Sequence, residues 1–461
     1  MDHELAADSA VAVSHLDGAT LSLLWSLPFA GLLLSIALLP LLAPRFWEHH
    51  FGKIAAFWAL AFLLPCAFAF GLETAAFAML HALLLDYVPF IVLLFTLFVV
   101  AGGIRVAGNL TGTPETNTAM LAFGTMIASL VGTTGASMLL IRPVIVANQN
   151  RKRNVHVFVF FIFLVSNIGG SLTPLGDPPL FLGFIKGVDF FWIAQAMFAP
   201  VVILSVCLLA LFYLIDRLAW RHEAAKLKQQ SKSLRQIRID GLHNVMFLGI
   251  VVAAVLASGL WDPEIDVPVG LGLSMPLRDL ALDGVLLVVS YLSWKMTRPS
   301  IRVENTLTWL PIQEVAMLFA AIFITIVPAL AILRAGPQGA LAPLLALVSA
   351  PDGTPIEAAY FWMTGLLSSF LDNAPTYLVF FNLAGGDAQH LMGPLAGTLL
   401  AISAGAVFMG AMTYIGNAPN FMVRSICEEH GIKMPSFFGY MLWSGAILLP
   451  LFAVLTLIFF I

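Results

Sequence analysis

Apolar runs of membrane-crossing length recur along the chain, and they are of two kinds. A hydrocarbon core about 30 Å thick needs about 20 apolar residues as helix. Uninterrupted runs at 21–42, 54–70, 88–106, 190–214, 245–260, 282–294, 309–333 and 437–461 meet or approach that length and predict ordinary spans. The stretch 74–86 is too short and ends in the carboxylate of Asp86, which predicts a segment at the membrane interface. Four other runs are apolar at both ends and polar in the middle. The run 117–148 is broken at Gly132-Thr133-Thr134-Gly135, and 358–383 at Asp372-Asn373-Ala374-Pro375. The run 155–184 is broken between Ser166 and Pro179, and 395–424 at Thr413-Tyr414-Ile415-Gly416-Asn417.

These interruptions have a physical meaning. The break in 155–184 holds Gly169, Gly170, Gly176, Pro174, Pro178 and Pro179 beside Asn167 and Asp177. Proline removes a backbone donor and clashes with the preceding turn, and each glycine weakens a helix further. Unpaired backbone at membrane depth persists only where it is buried in protein or lines a watery cavity. Broken spans therefore point to a transporter's binding site. The run 117–148 is too long for one straight span and breaks in mid-segment, which predicts a re-entrant hairpin, and 358–383 reads the same way.

Composition agrees. Of 461 residues, 60% are hydrophobic and 10% charged, and the mean hydropathy is +0.94. Soluble domains run near 25% charged, so this is a polytopic membrane protein, expected to form one integrated membrane domain. The net charge is −4 and no basic run suggests nucleic acid. Cys66, Cys207 and Cys427 stand far apart with no CxxC, so neither a disulfide nor a zinc-type site is expected, and Cys66 and Cys207 should face lipid or core. The chain divides into a polar tail (1–20), a first half (21–215), a basic linker (216–242) and a second half (243–461). The tail is acidic and lacks the basic start of a signal peptide, so the first run should remain as a span.

Loop charge sets the expected orientation. Arg45, Lys53, Arg105, Arg151-Lys152-Arg153, the linker cations, Lys295, Arg298, Arg302, Arg424 and Lys433 belong inside by the positive-inside rule. Asp262, Glu264 and Asp266 belong outside. One alternating path satisfies these with about ten spans, both termini outside, and the hairpins opening to opposite sides.

The breaks also repeat. Thr173-Pro174-Leu175-Gly176-Asp177-Pro178-Pro179-Leu180-Phe181 aligns with Thr413-Tyr414-Ile415-Gly416-Asn417-Ala418-Pro419-Asn420-Phe421 at an offset of 240, and the same offset lays Gly132-Thr133-Thr134-Gly135 on Asp372-Asn373-Ala374-Pro375. With the halves oppositely oriented, the expected fold is an all-α polytopic membrane protein. It is an inverted-topology repeat with two re-entrant hairpins and two broken transmembrane helices, and ligand between the halves at the midplane.

This arrangement resembles the ion transporter superfamily, which includes NhaD-type sodium/proton antiporters, arsenite-efflux permeases and citrate or dicarboxylate carriers. Ser166-Asn167-Ile168-Gly169-Gly170, Thr173-Pro174-Leu175-Gly176-Asp177 and Ser368-Ser369-Phe370-Leu371-Asp372-Asn373-Ala374-Pro375 are most similar to the NhaD-type pattern. The resemblance runs from about Val88 onward. The chain departs from it in Pro178-Pro179 after the aspartate and in Asn417 where the first repeat has a carboxylate. The resemblance implies a homodimer, and the expected location is a bacterial inner membrane.

The residues in the breaks suit cation chemistry. A carboxylate at membrane depth is costly and usually functional, which singles out Asp177 and Asp372 as metal-ion ligands and proton carriers. Hydroxyls of Thr133, Thr134, Ser137, Ser166, Thr173 and Thr413, and amide oxygens of Asn167, Asn373 and Asn417, could complete an oxygen shell. Proton and Na+ (or Li+) competing for one carboxylate, with alternating access, gives antiport. The plainer reading of both aspartates is that they cap the half-helices that follow. Glu314 is either a proton-relay carboxylate or a boundary residue. Lys186 and His156 should lie at headgroup level, and Arg142 should snorkel to the surface. No nucleotide loop, zinc spacing or nucleophile elbow supports an enzyme. No cofactor is expected beyond the transported ions, and the partners are small inorganic ions and the bilayer. A citrate-type carrier coupled to H+, Na+ or a metal ion is the competing reading. Its anion suits the first hairpin tip, whereas Asp372 would repel it unless a cation bridges them. Arsenite efflux has no feature that selects it.

Overall fold

The computed structural model describes residues 16–108, 110–223, 237–261, 263–305 and 307–461. Most of the polar tail and of the basic linker, with Asp262, lie outside the described residues. The protein is an all-α polytopic membrane protein. Eight helices among the described residues are long and apolar enough to cross a bilayer: Leu23–Leu42, Pro44–Phe70, Leu72–Ala101, Val155–Leu172, Phe190–Trp220, His243–Leu260, Leu310–Arg334 and Phe437–Phe459. A further long helix, Leu277–Met296, contains the expected run 282–294 with charges toward both ends. The strands described are two short antiparallel pairs, Arg105–Gly108 with Ile237–Asp240 and Asp266–Gly270 with Leu273–Pro276.

Three expectations are corrected. The stretch 74–86 is not a separate interfacial segment. Leu72–His81 passes through a π-helical stretch, Ala82–Tyr87, straight into Val88–Ala101. The wider π turn accommodates Asp86 without ending the helix. The helix Phe190–Trp220 runs past 214 and takes in Asp216, expected as the first residue of the linker. It does so because Asp216 has buried partners that hold it in protein. His156 is one of them and is itself buried in protein. Arg142 does not snorkel: its guanidinium donates to the carbonyl of Asn305.

The chain packs as two compact units, and each draws on both halves of the sequence. The first comprises described residues up to Leu93, with Ala254–Leu287 and Trp309–Leu345. Here Pro44–Phe70 packs between Leu27–Leu42 and Leu310–Arg334. Gly31 permits one of these contacts, since a Cβ there would lie 2.3 Å from the Trp58 ring. Trp58 donates its indole N–H to Ser35 Oγ at 3.1 Å. Phe57, Leu60, Leu64 and Phe68 are exposed and face where lipid would lie.

The second unit comprises Leu94–Ala253, Val288–Thr308 and Ala346–Ile461. It holds both hairpins and both broken spans. The first hairpin pairs Pro114–Val131 with Thr133–Asn148, and the second pairs Glu357–Phe370 with Asn373–Leu383. The first broken span forms the centre: every side chain from Val157 to Val165 is fully buried. Lipid offers helices little hydrophobic drive to associate, so close van der Waals packing through small residues does the work. Glu357–Phe370 accordingly lies tight on Ala396–Met409, where a Cβ on Gly405 would sit 2.5 Å from the Phe361 carbonyl.

Candidate functional site

Both broken spans are built alike. The first runs as Val155–Leu164, a 3-10 turn Ile168–Leu172, a turn over 173–177, and then helix Pro178–Ile185. The second runs as Ala396–Met409, a 3-10 turn Gly410–Met412, a bend over 413–417, and then helix Ala418–Glu429. Asp177 and Asn417 are the extended residues at which the helices restart, with φ −140° and −155°. Proline just inside each restart is tolerated because the first helical N–H groups have no intrahelical acceptor.

The pins that hold these breaks recur 240 positions apart. Thr173 donates its hydroxyl to the Ser129 carbonyl, as Thr413 does to Ser369. Ser129 Oγ donates to the Gly169 carbonyl at 2.6 Å, and Ser369 Oγ to that of Met409 at 3.1 Å. Gly176 lies so close to Gly170 that a Cβ would meet its carbonyl oxygen at 2.0 Å, and Gly416 meets Gly410 in the same way at 2.6 Å. The repeat seen in sequence is therefore a repeat of backbone geometry.

The hairpin tips differ. The first turns on Gly132 at φ +79°, and the Thr133 N–H donates to the Gly176 carbonyl at 2.8 Å. At the second, Asp372 accepts the Ala374 N–H at 3.1 Å and caps the half-helix.

These elements converge on one carboxylate. Asp177 is 1% exposed and does not cap its own helix. Its Oδ1 accepts from Thr133 Oγ1 at 2.9 Å and from Asn417 Nδ2 at 3.1 Å. Its Oδ2 accepts from Asn373 Nδ2 at 2.6 Å. Thr133 and Asn373 are repeat counterparts, as are Asp177 and Asn417, so each of the four breaks contributes one residue. Around them, Asn167 accepts from Asn417 at 3.2 Å and donates to Asn420 Oδ1 at 2.7 Å and to the Ile162 carbonyl at 2.8 Å. Ser137 and Ser166 share a hydroxyl–hydroxyl bond of 2.8 Å. The Asn373 carboxamide oxygen is buried without a partner among the described residues.

The donors to Asp177 are one hydroxyl and two amides, all neutral. Among the described residues no cationic side chain pairs with it. A buried charge is costly unless it is paired. Three neutral donors soften that cost, and a proton or a small cation would remove it.

The expected residues thus sort themselves. Asp177, Thr133, Asn373 and Asn417 meet directly, and Asn167, Ser166 and Ser137 stand behind them. Thr173 and Thr413 spend their hydroxyls pinning backbone. Thr134 makes no side-chain hydrogen bond among the described residues. Asp372 is occupied, through one oxygen, as a helix cap. Glu314 belongs to the other unit and accepts the Trp47 indole N–H at 2.7 Å. Asn420 is the residue sequence reasoning missed. It donates to the carbonyls of Gly410 and Thr413 at 2.8 and 2.9 Å and so holds the second break open. Its signal was an amide in the repeat, opposite the apolar Leu180.

A family model described as "Putative citrate transport" matches residues 18–460. The chain belongs to that family. No curated protein matches it. The match spans both hairpins, both broken spans and both packing units, so the site lies wholly within the family's shared region. An integral multi-pass membrane protein of a transport family is consistent with the long apolar helices.

A second buried polar cluster lies in the same unit. Asp216, fully buried, accepts from both terminal nitrogens of Arg151, from Asn117 Nδ2 at 2.9 Å, and lies 2.8 Å from His156 Nε2. Asn117 and Asn148 exchange amide hydrogen bonds of 3.0 and 2.8 Å across the base of the first hairpin. Glu223 accepts the backbone N–H groups of Lys152 and Arg153 at 3.3 and 3.1 Å. This cluster ties hairpin, broken span and the helix Phe190–Trp220 together.

Proposed function

We propose that the protein is a secondary active transporter that exchanges Na+ or Li+ for H+ by alternating access, with Asp177 as the group they compete for. The observation that carries this reading is the charge-uncompensated carboxylate of Asp177, held by residues from all four breaks. A proton or a monovalent cation each neutralises it, and the two cannot occupy it together. A hard cation prefers oxygen ligands, and the partnerless oxygen of Asn373 stands next to the carboxylate for that purpose. The two halves insert in opposite orientations in a bacterial inner membrane with both termini outside, so the site sits between them at the midplane.

The family description favours a second reading, a citrate-type carrier. Its anion would approach the N-termini of the half-helices Thr133–Asn148 and Asn373–Leu383, where it would compete with the Gly176 carbonyl for the Thr133 N–H and with Asp372 for the Ala374 N–H. Asp177 would then hold the coupling cation.

Purified protein in vesicles with a trapped pH-sensitive dye separates the two. A proton gradient is imposed, and Na+, Li+, K+ or citrate is added separately. Collapse on Na+ or Li+ alone, absent in Asp177→Asn, supports exchange. A response to citrate alone, with or without a divalent metal, rejects it in favour of the carrier.

A further inference from the structure

We propose that an open cavity bounded by Asp240, Gly241, His243, Met296, Arg298 and Ile301 holds the phosphate headgroup of an anionic phospholipid. The cavity has a volume of about 280 Å³, more than a phosphate group fills and enough for the glycerol that carries it in a lipid headgroup. It lies in the second unit, where the helix His243–Leu260 begins and Leu277–Met296 ends.

Its charge favours an anion. Arg298 is exposed and has no ion-pair partner among the described residues. Asp240, the one carboxylate in the lining, is already occupied by Arg238 at 2.6 Å and by Arg105 at 3.4 Å, which also pairs with Glu304. Close by in sequence, Lys295 lies 5.8 Å from the Tyr291 ring. Arg302 turns inward to the carbonyls of Val99 and Ser293 at 2.8 and 3.0 Å. Burial pushes its guanidinium down to about 10, so it stays charged at neutral pH.

The surroundings favour a lipid over a free oxyanion. Leu242, Met246, Met296 and Val303 are each more than half exposed, between 55% and 72%. They carry acyl-compatible surface beside the cavity that Arg298 lines, the two parts an amphiphile needs. Basic pockets between membrane helices are a recurrent mode of headgroup binding.

The test uses the full-length protein in detergent after delipidation, with thermal unfolding followed as lipid is titrated in. Phosphatidylglycerol should raise the unfolding midpoint saturably, and phosphatidylcholine of the same chain length should not. Arg298→Gln should weaken phosphatidylglycerol binding roughly fivefold, on the order of one surface cation's contribution. Arg298→Lys should restore most of it, and Arg153→Gln, an exposed cation outside the cavity, should change nothing. Equal binding by Arg298→Gln and wild type would overturn the proposal, as would equal stabilisation by the two lipids. Inorganic phosphate binding as tightly as phosphatidylglycerol would assign the cavity to a free oxyanion instead. None of these readings depends on transport.

Discussion

Asp177 and Asp216 are two buried carboxylates in one packing unit, and they are supplied differently. Asp216 carries its counter-ion with it: Arg151 is bidentate on it, and Asn117 and His156 fill the remaining positions. Asp177 has equally good hydrogen bonds and no cation. Asp216 lies within a continuous helix, whereas Asp177 lies where a span is broken and a helix restarts. Burial alone does not mark an ion site. A carboxylate with its cation built in is a clamp, and one with neutral donors only is open to a mobile cation or proton.

Substitutions can break that contrast. The largest effect is expected from Asp177→Asn, which should reduce ion-coupled proton flux at least about a hundredfold while leaving folding intact or improved, because it removes an unpaired buried charge. Wild-type flux in reconstituted vesicles would end the assignment. Asp216→Asn should do the reverse. It leaves buried Arg151 with only the longer ion pair to Glu223 at 3.9 Å, a loss of up to about 3–5 kcal/mol seen as a lower unfolding midpoint. Its ion half-saturation, measured on the folded fraction, should stay within a few fold. A large affinity change without destabilisation would put Asp216 in the ion path.

Smaller effects sharpen the picture. Asn417→Ala and Asn373→Ala each remove one hydrogen bond to a charged group, about 1.5–3 kcal/mol. Each should shift ion half-saturation by about tenfold or more in flux assays, less than loss of the carboxylate. A loss as complete as that of Asp177→Asn would mean the amide is the principal ligand. The smallest stability change belongs to Asp372→Asn, since asparagine caps a helix about as well as aspartate, whereas Asp372→Ala should cost about 1 kcal/mol. Abolished flux in Asp372→Asn, with the unfolding midpoint unchanged, would show that the charge at the second tip acts in transport as well as in capping.

Much of the architecture was legible because its causes are local. Hydropathy and run length locate spans, and Gly and Pro clustered with polar residues break them, whereas single prolines such as Pro65, Pro200 and Pro328 sit inside continuous helices. The 240-residue recurrence was visible for the same reason, and the pins Thr173–Ser129 and Thr413–Ser369 confirm it as geometry. Where the reading failed, the deciding interaction came from elsewhere in the chain. Asp86 looked like a terminus until a π turn carried the helix through it. Asp216 looked like linker, and its partners Arg151 and Asn117 lie 65 and 99 positions away.

By itself, then, the sequence determined that this is a polytopic membrane protein, where its spans break, and which oxygen-bearing residues crowd the breaks. The tertiary structure alone decided which of them meet. It turned Asp177 inward to Thr133, Asn373 and Asn417, and set one oxygen of Asp372 on its own helix. The reason is physical. Helix breaking depends on a residue and its immediate neighbours, whereas a hydrogen bond between Asp177 and Asn417, 240 positions apart, exists only once the packing of both broken spans has brought them together.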